Sequence, residues 1–103
     1  MRSARVFFEN NCAGQLIEAD NGHEYRFQYE PGYNGPPISL TMPVREENYL
    51  FNEFPPFFDG LLPEGFQLEA LLRQKKLDRN DRFSQLLIIG ADTVGAVTVK
   101  ETP

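Results

Sequence analysis

Residues 54–66 constrain the fold of this chain more than any other segment. These thirteen residues contain four phenylalanines, three prolines and two glycines, and no histidine, cysteine or lysine. Proline lacks a backbone N–H and clashes with the preceding turn, so the segment cannot form one long helix. Phenylalanine side chains favour burial, so it is not a flexible linker either. We expect a rigid, bent segment that buries most of its rings and offers one to a partner.

Size and charge indicate one soluble domain that binds protein rather than nucleic acid. The chain has 103 residues, of which 41% are hydrophobic and 24% charged, so a single domain over residues 1–103 is expected. The formal net charge is −5. An acidic chain repels phosphates, which argues against a direct nucleic-acid partner, and it suits contact with a basic protein surface.

Cysteine use and hydropathy favour the cytoplasm. Cys12 is the only cysteine, so neither an internal disulfide nor a zinc cage is available. Residues 1–9 contain no apolar run of signal-peptide length, and no stretch is long enough to cross a bilayer. We therefore expect a cytoplasmic protein without a membrane partner.

The sequence predicts an α+β fold, with a small, mostly antiparallel sheet covered by about three short helices. An N-terminal meander of three strands is predicted at residues 4–8, 14–19 and 23–29, with Tyr25, Phe27 and Tyr29 on one face. Residues 31–37 form a loop, residues 38–42 a further strand, and residues 45–48 a polar turn. Helices are predicted at residues 56–62, 64–75 and 82–89, and a closing strand at residues 94–100. Asp81 is expected to cap the third helix and Gly90 to end it as a left-handed C′ glycine.

Phe66 is the one aromatic residue of the central segment that does not match a core position. At about 100° per residue, Leu68, Leu71 and Leu72 share one helix face, and Phe66 lies roughly 160° from Leu68. The ring therefore projects from the outer end of the helix, or the helix starts after it. The alternative is that the ring folds back as part of the core, onto Phe57, Phe58 or Leu62.

The polar residues do not form a recognisable catalytic pattern. Residues 90–95 superficially resemble a phosphate loop but lack its lysine, and they follow a helix instead of preceding one. His23 is the only histidine, and its spacing from Ser39, Thr41 and Ser84 supports no nucleophile–base pair. We predict no catalytic residue, no metal and no cofactor.

Two charged stretches are better explained as solvated surface than as sites. Glu46, Glu47 and Glu53 could in principle share a metal or a proton, but acidic turns are usually exposed. A basic stretch near the third helix could contact phosphates or an acidic partner, although helix ends are commonly basic; it comprises Arg73, Lys75, Lys76, Arg79 and Arg82.

Two segments taken together resemble a known family. Residues 57–65 and 86–97 are similar to the N-terminal subdomain 1 of HipA-type serine/threonine kinases, which are toxins of bacterial toxin–antitoxin systems. The similarity extends to residues 14–17 and 38–43, so it covers nearly the whole chain. A HipA-type kinase continues into a catalytic core, whereas this sequence ends at Pro103. The resemblance therefore implies a non-enzymatic, free-standing HipS-like protein of a HipBST system.

In such a system, the resemblance implies an antitoxin that binds and inhibits a HipT-like kinase. A HipB-like helix-turn-helix DNA-binding protein is implied as a further member of a ternary complex. One alternative is a regulatory subunit that bridges the kinase to that repressor without neutralising the kinase. Another is an enzyme or small-ligand protein that uses His23, Asp92 or the acidic cluster.

The partner-binding residues are expected at the end of the central segment. Phe66 is the predicted anchor, supported by Leu62, Pro63, Glu64 and Gly65. Many HipA-like sequences have tryptophan in its place, so Phe66 keeps an aromatic ring and loses the indole N–H. Other residues of this region are expected to be scaffold, with Asp59 capping or pinning the first helix: Phe57, Phe58, Asp59, Leu61, Leu68, Leu71 and Leu72.

Overall fold

The computed structural model describes residues 1–93 and 95–102, which form an antiparallel five-stranded sheet, three α-helices and one 3₁₀ turn. The strands lie side by side in the order β4-β3-β2-β1-β5. Their bounds are β1 Arg2–Phe8, β2 Asn11–Glu18, β3 Tyr25–Tyr29, β4 Tyr49–Phe51 and β5 Val97–Glu101. The helices are α1 Pro56–Asp59, α2 Gly65–Lys75 and α3 Arg82–Ile89, and the 3₁₀ turn spans Gly90–Asp92. The predicted α+β class is confirmed.

Turn chemistry explains the meander. Glu9 and Asn10 both have positive φ, as a two-residue hairpin between β1 and β2 requires. In the second turn, the side-chain oxygen of Asn21 accepts hydrogen bonds from the backbone N–H groups of His23 and Glu24. Local hydrogen bonding of this kind is why asparagine favours turns.

The core lies between the sheet and the helices. Tyr25, Phe27 and Tyr29 face it together, as their period-two spacing predicts. The ring of Phe27 packs 5.9 Å from that of Phe58 and 4.8 Å from that of Tyr29, measured between ring centroids. Edge-on and tilted contacts of this kind add to the gain from burying aromatic surface. Phe83 of α3 completes the enclosed aromatic centre.

Residues 38–42 do not form the predicted strand. Ser39 and Met42 are joined by an isolated bridge, with the Met42 N–H donating to the Ser39 carbonyl at 3.0 Å. The Tyr29 hydroxyl anchors this turn, because it accepts from the Ile38 N–H and donates to the Met42 carbonyl. Ile38 and Met42 are thereby buried while Leu40 points into solvent. The apolar residues that alternate in this segment therefore belong to a tight turn packed on the core, and not to a strand.

The structure describes one strand that the sequence did not predict, and two strands, β3 and β5, that start later than predicted. Strand β4 pairs with β3 at the sheet edge, with Leu50 opposite Arg26. Strand β5 begins at Val97 rather than residue 94, and Val94 itself lies outside the described residues. Beyond β5, the Thr102 N–H donates to the Ser3 carbonyl at 3.2 Å. The pairing of the first and last strands, β1 and β5, therefore continues to the end of both strands.

The helix boundaries follow from their end residues. Helix α3 has the predicted bounds, and its cap is Asp81, whose side chain accepts from the Ser84 N–H. Helix α1 ends after one turn, with the Gly60 N–H donating to the Pro56 carbonyl.

Within the described residues, no helix has the length and apolar character needed to cross a membrane.

Gly90 ends α3 for a different reason from the one predicted. Its φ is −60°, so it is right-handed and continues into the 3₁₀ turn. A Cβ at this position would lie 2.4 Å from the carbonyl oxygen of Val99. Glycine is required because α3 approaches β5 closely, and not because the backbone needs a left-handed residue.

Candidate interaction site

The first part of the central segment is core. Phe54, Pro55 and Phe58 are buried, and Phe57 is half-buried with its ring 5.1 Å from that of Phe58. Phe54 meets Tyr25 edge-on at 5.3 Å. Three of the four phenylalanines therefore tie the segment to the sheet, which gives the residues that follow a rigid base.

Phe66 is the exception, since 95% of its surface is exposed. The alternative in which the ring folds back onto Phe57, Phe58 or Leu62 is wrong. The ring sits in the first turn of α2, whose partly buried face carries Leu68, Leu71 and Leu72 on the other side. This is the arrangement that the helical angle of about 160° predicts.

Gly65 sets the direction in which α2 leaves the central segment. Its φ is +59°, and nothing lies within 4 Å of the position that a Cβ would occupy. Space is therefore not limiting here, and the left-handed backbone is what favours glycine. Glu64, just before it, is extended and exposed at the N-cap position of α2, and its side chain makes no capping hydrogen bond.

Leu62 and Pro63 join this tip to the body. Both are half-buried, and Leu62 packs against the core. They line one side of an open groove of about 610 Å³, whose other side is formed by Ile88 and Ile89 of α3. The five predicted residues thus form one continuous stretch that runs from the core to the exposed ring of Phe66.

Helix α2 contains no buried residue. Leu68, Leu71 and Leu72 are only half-buried, and an exposed ion pair between Glu69 and Arg79 ties the helix to the loop behind it. Most helices gain their stability by burying an apolar face. An amphipathic helix with an incompletely covered face offers a contact surface to another protein.

Charges next to this helix are partly neutralised. Arg82 lies 3.6 Å from Asp59, measured from Nε to Oδ1, in an exposed ion pair between α1 and α3, and the Asp59 side chain does not cap α1. Within the described residues, Arg73, Lys75 and Lys76 belong to no salt bridge. The basic stretch is thus a solvated helix end with three uncompensated cations.

The structure brings together no hydrolytic or metal site from the other polar candidates in its described part. His23 is exposed, and the Ser84 hydroxyl donates to Asp81 and accepts from Arg2. Ser39 and Thr41 share a hydrogen bond of 2.9 Å with each other. Across residues 1–93 and 95–102, no three histidine, cysteine or carboxylate side chains are grouped so that they could hold a metal ion.

Ile88 is a site residue that the sequence reasoning missed. It is 42% exposed on α3 and forms a wall of the groove next to Leu62. A helical wheel could have found it, because Ile88 lies roughly 200° from the buried Leu86 at 100° per residue. The exposed side chain of Ile88 adds apolar surface to the groove that Leu62 and Pro63 also line.

Comparison with known proteins gives consistent results. The family model described as HipA N-terminal domain matches residues 4–100. A protein of Haemophilus influenzae named “Uncharacterized protein” is 33% identical over 101 residues, which cover 98% of this chain and 93% of that protein. “Putative kinase Y4mE” of Sinorhizobium fredii is 29% identical over 100 residues, which cover 94% of this chain and 24% of that protein. A solved structure of the N-terminal domain of HipA toxin superposes with a TM-score of 0.77 at 29% identity, covering 100% of this chain and 94% of that one.

Proposed function

The chain belongs to the HipA N-terminal domain family, and from this premise we propose that it is the antitoxin of a type II toxin–antitoxin system. In this proposal it binds a HipT-like serine/threonine kinase toxin and inhibits it by protein–protein contact. The family match and the structural likeness support the coarser statement, a HipA-related component of such a system. The role needs no catalytic residue, cofactor or metal of its own.

The observation that carries the proposal is the exposure of Phe66. A phenylalanine with 95% of its surface in water, on a helix without a buried residue, contributes almost nothing to the fold. Burying such a ring against a partner would gain roughly 1.5–3 kcal/mol from the hydrophobic effect alone. Aromatic side chains in a pocket are also the residues that dominate many protein interfaces.

The residues before Phe66 hold the ring in place. Leu62 packs against the core, Pro63 is half-buried, and Gly65 sets the turn into α2, so few bonds must be ordered when a partner binds. Preorganisation of this kind raises affinity because less conformational entropy is lost on binding. Exposed Glu64 offers a carboxylate beside the ring for a hydrogen bond or ion pair with the kinase.

Two relatives differ in how much of their length this domain makes up. The matching region is 24% of Y4mE but 93% of the Haemophilus protein, so related sequences occur both within longer chains and as nearly whole proteins. We propose that residues 1–103 act as a single domain whose surface meets a kinase as a separate molecule in the cytoplasm. Its lone, unpaired Cys12 suits a reducing compartment.

A second candidate function is a regulatory subunit that bridges the kinase to a HipB-like helix-turn-helix DNA-binding protein without neutralising the kinase. The sheet face opposite the helices, where exposed Arg26 pairs with exposed Leu50, favours it, because a bridging protein needs a second surface away from Phe66. In the antitoxin proposal the same DNA-binding protein would complete a ternary complex.

The test is co-expression with the cognate kinase, together with binding of the purified proteins. We expect Phe66→Ala to lose growth rescue and to weaken kinase binding by at least about tenfold, since anchor residues typically contribute 2 kcal/mol or more. Leu40→Ala is the matched control, because Leu40 is 97% exposed in the turn at residues 39–42. It should behave like the wild type.

The outcomes separate the candidates. Full growth rescue by Phe66→Ala would show that the Phe66 ring is not needed to inhibit the kinase. Tight kinase binding without inhibition of phosphorylation would favour the bridging subunit. Failure of the folded wild-type chain to bind the kinase at all would overturn both.

A further inference from the structure

The sheet has one covered face and one open face. Ala4, Val6, Leu16 and Phe27 point towards the helices and are fully buried in the core. Because side chains alternate along a strand, their neighbours point to the other side. That open face carries cations and apolar residues together: Arg5, Phe7, Ile17, Arg26, Leu50 and Lys100.

Two cations lie directly opposite each other on this face. Arg5 of β1 pairs with Lys100 of β5, and on its other side Arg5 pairs with neutral Gln15 of β2. Like charges opposite each other across two strands destabilise a sheet. The Lys100 ammonium lies 5.4 Å from the centre of the Phe7 ring, which offsets part of this cost by a cation–π contact.

Arg26 extends the positive charge across the sheet. It lies on β3, two strand spacings or about 10 Å from β1, with Ile17 and Leu50 as its cross-strand neighbours. Within the part of the chain that the structure describes, Arg5, Arg26 and Lys100 form no salt bridge. In a chain with 15 acidic and 10 basic residues, these three cations share one face of the sheet.

An apolar cavity adjoins Arg26 on this face. Its volume is about 260 Å³, and its walls include Ile17, Ala19 and Leu50, with 77% of Leu50 exposed. Carboxylates lie at the margins of this face: Glu24 lines the cavity, and Asp20 pairs with the N-terminal ammonium of Met1, another lining residue. Glu30 lies 3.8 Å from the Cys12 thiol, measured from Oε1 to Sγ. At the centre of the face, Gln15 pairs with Gln28, and the three cations and the apolar side chains lie around this neutral pair.

We propose that this basic sheet face, defined by Arg5, Phe7, Arg26, Leu50 and Lys100, binds an acidic surface of a second protein. Carboxylates of the partner would pair with the three cations, and an apolar side chain would enter the cavity beside Leu50. Charge complementarity specifies such a partner and makes its association dependent on salt. The face lies across the sheet from the helical layer that carries Phe66, so the proposal goes beyond the kinase contact.

A protein partner fits better than nucleic acid. Single-stranded nucleic acid is usually held by several aromatic rings on which bases stack, and this face offers only Phe7 among its defining residues. Three cations within a chain of net charge −5 also provide little attraction for a polyphosphate.

The test is an NMR titration of the full chain with poly-L-glutamate as the acidic probe, without any kinase present. We expect the amide signals of Arg5, Phe7, Arg26 and Lys100 to shift at about 50 mM salt and to return towards their free positions at about 500 mM salt. The triple variant Arg5→Glu, Arg26→Glu, Lys100→Glu should weaken binding at least about tenfold, because three attractive charges become repulsive. The neutral triple variant with glutamine at these positions should lose binding to an intermediate degree.

The matched control reverses three cations elsewhere, as Arg73→Glu, Lys75→Glu, Lys76→Glu on α2. Retained binding in this control, with intact spectra for all variants, supports the assignment. Equal losses in both reversed triples would overturn it, as would the absence of shifts with poly-L-glutamate. Stronger binding of the same face to polyuridine or to anionic phospholipid vesicles would also overturn it.

Discussion

The guanidinium of Arg2 donates a hydrogen bond to Asp81 across 3.0 Å, which joins the first strand to the start of the last helix. The same guanidinium is bonded to Glu18 at 2.7 and 2.8 Å and to the Ser84 hydroxyl at 2.8 Å. Hydrogen bonding to Glu18, together with the bond to Asp81, outweighs burial and raises the pKa of Arg2 above its ordinary value. One cation therefore holds together residues that are far apart in sequence, at the edge of the core.

Replacing Arg2 with methionine should destabilise the chain by roughly 1–3 kcal/mol. The substitution removes charge-assisted bonds and leaves the mostly buried Glu18 carboxylate without its cation. Urea unfolding measures the free energy of unfolding, and Arg73→Met provides a matched control, since Arg73 is exposed on α2. A loss of equal size in both variants would contradict a specific role for Arg2.

Asp81 should make stability fall in acid. Burial raises the pKa of Asp81, but the hydrogen bonds from Ser84 and Arg2 outweigh burial and leave that pKa below its ordinary value of 3.8. A carboxyl group with a lowered folded-state pKa stabilises the fold above its unfolded pKa. That contribution disappears as the pH falls through the folded-state pKa.

Asp81→Asn tests this linkage, because asparagine still caps a helix but cannot ionise. We expect the variant to be less stable than the wild type at pH 7 and the difference to shrink below about pH 4. The free energy of unfolding, measured by urea titration across this range, gives the result. A difference that stays constant with pH would show that the charge of Asp81 contributes nothing.

Gly90→Ala should cost roughly 1–3 kcal/mol by overpacking. The added Cβ would meet the Val99 carbonyl oxygen at 2.4 Å, so α3 and β5 would have to separate. Gly60→Ala is a close control, because Gly60 is also right-handed and its added Cβ would come no nearer than 3.4 Å to the Phe57 carbonyl oxygen. Thermal unfolding should show no loss of stability for Gly60→Ala. Equal losses of stability in both variants would contradict the explanation that α3 and β5 approach too closely for a side chain at residue 90.

Local signals predicted most of the fold. Helix α3 and its Asp81 cap follow from helical periodicity and capping chemistry, and the β1–β2 hairpin follows from residues that tolerate positive φ. The predictions are wrong where tertiary contacts, and not the local sequence, determine the secondary structure. The Tyr29 hydroxyl converts residues 38–42 into a turn, and the three residues of β4 are too few to give a periodic pattern.

The candidate site was predictable only in part, because local periodicity gives the face of a residue but not its tertiary contacts. The helical angle placed Phe66 away from the leucine face, but only the packed structure excludes a fold-back onto the core. The basic sheet face depends on pairing Arg5 with Lys100, residues that are brought together by the first and last strands. Alternation within one strand assigns each to a face and says nothing about which strand lies beside it.

The bond from Thr102 to Ser3 has a mechanical consequence. Because β1 and β5 are antiparallel, residues 3 and 102 lie at the same end of the sheet. A pulling force applied at both ends would peel β5 from β1 one hydrogen bond after another, instead of shearing all of them together. The domain should therefore yield to small forces, and the first element to detach would carry Lys100 away from Arg5.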